Sequence, residues 1–383
     1  MKPTIQLPYL PKELYGVNGF NGKTPQLDGN KRILSYAKDR GYTVGVLVYT
    51  GNSNMDIYEK ILSDPRVLLD RLKELIGSEM WKDTSLHFPM APWKPDCRVH
   101  LGKEESFGFH INLLDMISDA GIKKVILHPN TVYYVPGGEN SKDSKNKGFV
   151  WNQNARTESN GFLDRVLKLA RRFRDIHFAY ENMPIPIKGT VTLDPKEILI
   201  EPNLLTVGSI EDFLRETRDY PNISLCLDTS HYLITKGTLQ NLRENPKLLD
   251  DAHIRMLIGS ISPHSEELIP TKERTMEILE MVEMPSLTDF VKRNLSRITD
   301  VQISDGSGWI PSVRGFKGRK IGEGLPLTKG EGHYGDIVKA ISLIKKNAEE
   351  QDAQVSLSFD VTEKDYVTRE NQKRTLLEVL SKI

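Results

Sequence analysis

The sequence predicts an α/β protein: a single (β/α)8 TIM barrel over residues 1–383 with helical and loop insertions. Three observations carry that expectation. Short β-branched runs alternate with longer patterns of helical period, which implies right-handed βαβ crossovers and a parallel sheet. A barrel of about 250 residues plus insertions accommodates the chain better than a doubly wound sheet. No GxGxxG follows a strand and neither GxxxxGKS nor GxxxxGKT occurs, so the nucleotide-binding sheet folds lose their usual support.

The first strand signal is TVGVLVYT at 43–50. Residues 56–76 then place Ile57, Ile61, Leu68, Leu69, Leu72 and Ile76 near helical spacing, with Pro65 marking a kink or a break. TSLHFPM (84–90) is the next strand, and 109–120 is an amphipathic helix closed by Gly121. KVILHPN (124–130) is a strand and 161–174 a helix. IHFAYENM (176–183), residues 223–228, DVQISD (300–305) and QVSLSFD (354–360) complete seven strands. An eighth falls either in the glycine-rich 306–335 region or in residues 3–10. Three stretches read as additions to the barrel: an N-terminal extension at 1–42, a polar loop insertion at 131–160 and a helical insertion at 237–295.

Composition narrows the classes. Lys plus Arg and Asp plus Glu are both 52, so no net charge recruits nucleic acid or an acidic membrane. Nucleic acid is therefore not a favoured partner, although a local basic cleft at 142–147 or 314–320 stays open. Cys97 and Cys226 give neither a disulfide framework nor a thiolate zinc site, which fits a reducing cytoplasm. Residues 1–11 lack the apolar core of a signal peptide, and no run of about 18 apolar residues occurs, so no membrane span is expected.

The informative pattern lies at the C-terminal ends of successive strands, which in a closed barrel ring one mouth. His87, His128, Glu181, Asp228 with His231, Gln302 with Asp305, and Asp360 all fall there. Imidazoles with carboxylates suit zinc, manganese, iron or cobalt, and Glu181 is a natural shared ligand. Each residue also has a plainer reading. A lone strand-end histidine is more often a hydrogen-bonded structural group, and Asp228 followed by Thr and Ser can simply cap a helix that contains His231. Such coincidences on four consecutive strands favour a metal site, because many buried ionisable groups are costly without a cation or a tight network.

The segments LHFP (86–89), ILHPN (126–130), YENMP (180–184), CLDTSH (226–231), VQISD (301–305) and GEGHYGDI (330–337) resemble, in order, those of the xylose isomerase-like TIM barrels. That superfamily includes endonuclease IV-type abasic-site nucleases and sugar isomerases and epimerases. The resemblance covers most of 43–362. It implies that His87, His128 and Glu181 hold one ion, that Glu181 and Asp228 belong to the centre common to both branches, and that His231 belongs to a third metal of the nuclease branch. Gln302 stands where the pattern has histidine, and Asp360 is the acid nearest the final-strand glutamate. The Asp-x-His pair that precedes GEG in the nucleases is absent. Asp305, Glu331, His333 and Trp309 are candidate substrate contacts, and Trp93, Tyr133, Tyr134 and Trp151 are aromatics for stacking or lid packing.

The leading expectation is an isomerase or epimerase that uses one to three divalent ions on a sugar-like hydroxy-carbonyl substrate, with Glu181 and Asp360 as proton-transfer groups or ligands. The alternative is an endonuclease IV-like zinc phosphodiesterase or another metal-dependent hydrolase. A third class is a non-catalytic carbohydrate-binding barrel. The sequence does not fix the oligomeric state.

Overall fold

The computed structural model describes residues 2–9, 15–16, 19–20, 24–49, 65–88, 104–129, 162–185, 204–261, 270–308 and 322–383. Eight parallel strands close a barrel. In chain order they are β1 (Thr4–Tyr9), β2 (Thr43–Tyr49), β3 (Ser85–His87), β4 (Lys124–Leu127), β5 (His177–Glu181), β6 (Ile223–Asp228), β7 (Ile298–Gln302) and β8 (Ser356–Ser358). Each pairs with its sequence neighbour, and β1 closes the ring against both β2 and β8. This is the (β/α)8 architecture that the alternating pattern predicts.

The missing eighth strand is the N-terminal one, so residues 1–42 are not an extension. They supply β1 and the helix Pro25–Lys38. Pro8 masks β1 in the sequence, because proline cannot donate to a ladder. It costs no bond here. Thr4 N–H donates toward β8, to Val355 O, so the even-numbered donors of β1 face β8. That ladder ends at the pairing of Gln6 with Ser358, before Pro8 is reached. Among the described residues the 306–335 region gives no barrel strand; Asp305–Ser307 and Gly322–Leu325 pair as a separate antiparallel hairpin. The strand expected over 300–305 therefore stops at Gln302, and Asp305 belongs to the hairpin. Pro65 opens the helix Pro65–Ile76, and the part of the pattern over 56–64 lies outside the described residues. Gly121, at φ +82°, follows the helix Glu104–Asp119 as expected. The loop 131–160 lies outside the described residues. Over 237–295 the chain finishes the helix Thr229–Glu244, adds Ala252–Ser260 and Lys272–Met281, and enters β7 through Leu287–Asn294. These added helices share a second apolar core with Met183 and Ile185, just beyond the end of β5. Among the described residues no helix is long and apolar enough to cross a membrane.

Strand alternation sorts the side chains. Outward positions such as Val46, Val48, Leu86, Val125, Leu127, Phe178, Leu225 and Leu357 join the main core beneath the helices. Inward positions stack in three layers. The lowest is polar: His177 Nε2 is 2.7 Å from Ser224 Oγ, and Lys124 Nζ is 3.2 Å from Asp300 Oδ1. The middle is an apolar plug of Leu47, Ile126, Ala179 and Cys226. The upper layer carries Tyr49, His87, His128, Glu181, Asp228 and Gln302. The plug gives that layer a dry floor.

The hairpin lies directly on the helix Thr229–Glu244. A Cβ on Gly306 would fall 2.5 Å from Ser230 O, and one on Gly308 2.4 Å from Gly237 C. Gly306→Ala is expected to lower the unfolding free energy by about 1–3 kcal/mol, because backbone must move to admit the methyl group; urea denaturation measures this. In the lowest layer, burial and then the Lys124 charge depress the His177 pKa to about 4, with Asp300 opposing. A depressed imidazole stabilises the fold above its unfolded value of 6.5 and loses that contribution as pH falls toward 4. Relative to His177→Gln, the wild type is expected to lose up to about 3 kcal/mol between pH 7 and pH 4, read from denaturation curves across that range.

Candidate metal centre

Glu181 ends β5 facing inward and is 1% exposed. His87 Nε2, at the end of β3, lies 2.8 Å from its Oε2, and His128 Nε2, just past β4, lies 3.3 Å from the same oxygen. Gln302 Nε2 donates to Oε2 at 2.9 Å from β7. The other oxygen, Oε1, faces His231 Nδ1 at 3.1 Å. The carboxylate thus points its two oxygens at two different sets of groups. Among the described residues, His87–His128–Glu181 and Glu181–Asp228–His231 each bring their ligand atoms within 4.8 Å of one another.

Asp228 caps a helix and also faces the candidate site. Its Oδ1 accepts the His231 N–H at 2.8 Å and caps the helix Thr229–Glu244, while Oδ2 lies 3.7 Å from His231 Nε2. Asn182 locks the two strand ends together: its Oδ1 accepts the Asp228 N–H at 2.7 Å and its Nδ2 donates to Asp228 O at 3.0 Å. Its own carbonyl lies 2.9 Å from His231 Nδ1. Nδ1 therefore sits between two acceptors and carries a proton, which turns Nε2 toward Asp228 and Glu323 Oε1, the latter at 3.5 Å.

The electrostatics follow from burial and pairing. Burial opposes the charged form of Glu181, yet the His128 charge and hydrogen bonds to His128, His231 and His87 hold its carboxyl well below the usual range. Burial pushes the His128 pKa down, with Glu181 opposing. Burial lifts Asp228 to about 7 against the pull of His231. For His231, burial is outweighed by Asp228 and by hydrogen bonds to Glu181 and Glu323, which raise it well above an ordinary imidazole. Burial likewise raises the Cys226 thiol below, which keeps it protonated.

The six sequence-predicted ligands His87, His128, Glu181, Asp228, His231 and Gln302 are brought together. Asp360 lies two residues beyond β8 and joins them through Tyr49, whose hydroxyl is 2.6 Å from Asp360 Oδ2 and 3.1 Å from Gln302 Oε1. Asp305 and His333 form a pair of their own. His333 Nδ1 is 2.8 Å from Asp305 Oδ1, and the His333 backbone donates to Oδ2 at 2.9 Å. Gly332 makes that approach possible: it sits at φ +50°, and a Cβ there would fall 2.2 Å from Asp305 Oδ2. Glu331 stays exposed in the turn, and Trp309 lies outside the described residues. Sequence reasoning missed Tyr49, Asn182 and Glu323. Tyr49 carried a usable signal, since it ends β2 two residues after inward Leu47 and pairs in register with His87. Glu323 had none, because its contact with His231 depends on the hairpin.

No protein-family model matches the chain, and neither does any curated protein. Solved structures do. The chain is similar to 3-keto-D-glucoside 4-epimerase from E. coli, with 9% identity and a TM-score of 0.44 over 99% of this chain and 100% of that one. It is similar to a xylose isomerase-like TIM barrel protein from Mycobacterium smegmatis in complex with magnesium, with 13% identity and a TM-score of 0.45 over 100% and 97%. It is also similar to endonuclease IV from Thermus thermophilus, with 13% identity and a TM-score of 0.42 over 99% and 98%. At these identities the likeness is one of fold.

Proposed function

We propose that the chain is a divalent-metal isomerase or epimerase acting on a sugar or sugar-like hydroxy-carbonyl compound. Glu181 carries this reading: a buried carboxylate whose oxygens face two separate sets of metal-binding groups, with the Asp360 carboxyl and Tyr49 hydroxyl beside them. The donor set fits zinc, manganese, cobalt or iron. His87, His128 and Glu181 would hold one ion, and Glu181, Asp228 and His231 another. A divalent cation bound there supplies a Lewis acid that polarises a carbonyl and acidifies the neighbouring C–H.

The chain's own residues supply the rest. Both oxygens of Glu181 are engaged by imidazoles, so it serves as the ligand around which the centre is organised. Asp360 is bonded through Oδ2 by the Tyr49 hydroxyl rather than by an imidazole, and it is the group that moves a proton at carbon. The leucine, isoleucine and alanine of the plug close the floor against water.

One observation favours the alternative, a zinc phosphodiesterase or other metal-dependent hydrolase. A carboxylate shared between two ligand groups is the arrangement a two-ion centre uses to activate water and clamp a displaced oxygen. Deuterium exchange separates the two readings. Protein loaded with Mn2+, Zn2+ or Co2+ in D2O is expected to place solvent deuterium on the carbon beside the carbonyl of an aldose or ketose, followed by NMR. Asp360→Asn is expected to slow that exchange by about 10²–10⁴-fold, the usual contribution of a proton-transfer group. No exchange with any sugar, together with chelator-sensitive cleavage of an abasic-site duplex, sinks the isomerase and establishes the hydrolase.

A further inference from the structure

The upper layer of the barrel holds two groups of side chains, joined where Gln302 donates to Glu181. One is the Glu181 group with its three imidazoles and Asp228. The other is Tyr49, Gln302 and Asp360. Tyr49 spans the mouth between them: its ring stacks on His87 at 4.5 Å and 17°, and its hydroxyl reaches Asp360 Oδ2 at 2.6 Å. Gln302 turns its amide N–H toward Glu181 at 2.9 Å, which leaves Oε1, its one ligand-grade atom, 3.1 Å from the same hydroxyl. Asp360 belongs to neither group of potential ligands among the described residues. An amide oxygen is a weaker donor than an imidazole, and aspartate is one methylene shorter than glutamate. The Tyr49 hydroxyl makes its shorter contact with Asp360 Oδ2, at 2.6 Å, and lies 3.1 Å from Gln302 Oε1.

We infer that Tyr49 is a positioning residue that holds Gln302 and Asp360 as a hydrogen-bonded bracket outside the metal coordination, so that His87, His128, Glu181, Asp228 and His231 are the side chains that bind metal. This rests on the reading of the mouth as a metal centre. It departs from the ligand set that the strand-end motifs imply, in which the seventh- and eighth-strand positions are ligands too. The bracket keeps the Asp360 carboxylate facing the substrate instead of spending it on the cation. The stacked phenol also fixes the plane of the His87 ring, so His87 meets its ion in one orientation.

Cobalt substitution of the full-length chain tests this, with ions per chain counted by elemental analysis and the coordination read from the visible absorption of bound Co2+. Asp360→Asn, nearly isosteric, is expected to keep the wild-type ion count and absorption band, whereas His128→Ala and Asp228→Asn each lose bound cobalt. Tyr49→Phe removes only the hydroxyl and is expected to weaken and shift the band as the released carboxylate enters the coordination. The double variant Tyr49→Phe with Asp360→Asn is expected to restore the wild-type band, an outcome that loosened packing alone would not give. Near-UV circular dichroism confirms that each variant is folded. Loss of an ion or a changed band in Asp360→Asn alone makes Asp360 a ligand and overturns the inference, as does a Tyr49→Phe band identical to wild type. Wild-type protein that binds no cobalt at all removes the metal centre itself, and the inference with it.

Discussion

A single buried carboxylate sets the terms for the rest of the mouth. Glu181 is 1% exposed and stays ionised against the cost of burial. A carboxylate in such a place has to be paired on both oxygens, and here His87, His128 and Gln302 take one while His231 takes the other. Removing one partner from a buried charge pair typically costs about 3–5 kcal/mol, since the remaining charge is left uncompensated. Two of those partners, His87 and His128, are also the imidazoles that, with Glu181, could hold a cation.

The barrel supplies that set through its alternation. On β4, Lys124, Ile126 and His128 point inward while Val125 and Leu127 join the outer core, and β5 and β6 repeat the pattern with Glu181 and Asp228 at the top. A slip of one residue on β4, β5 or β6 would bury a candidate ligand against a helix and drop a core side chain into the mouth. Asn182 guards against such a slip between β5 and β6 by bonding both the N–H and the carbonyl of Asp228. Asp228 then divides its two oxygens between capping a helix and facing His231, so one side chain links the local fold of that helix to the centre.

Much of this was legible in the residues. The strands that carry the candidate ligands have strong apolar runs ending abruptly in His, Glu or Asp, and both the barrel and its ring of candidates follow from that pattern. β1 was legible only as one of two places for the eighth strand, because Pro8, with no donor, weakens its signal until the short β8 ladder is known. The reach of the 300–305 strand was overstated because Ile303 continues the alternation, although pairing ends at Gln302. Tyr49 read as the tail of an apolar strand, since a phenol is equally at home in a core. Glu323 and the Asp305–His333 pair come together only when the hairpin closes on the helix Thr229–Glu244, a tertiary event with no local signature.

The central claim is that Glu181 is a metal-binding carboxylate, and diffraction from zinc-soaked crystals tests it most directly. Anomalous difference maps collected at the zinc absorption edge are predicted to show a peak in the barrel mouth, within coordination distance of Glu181 and His128. A map with no peak beside Glu181, or with zinc bound only at surface residues, would contradict the account.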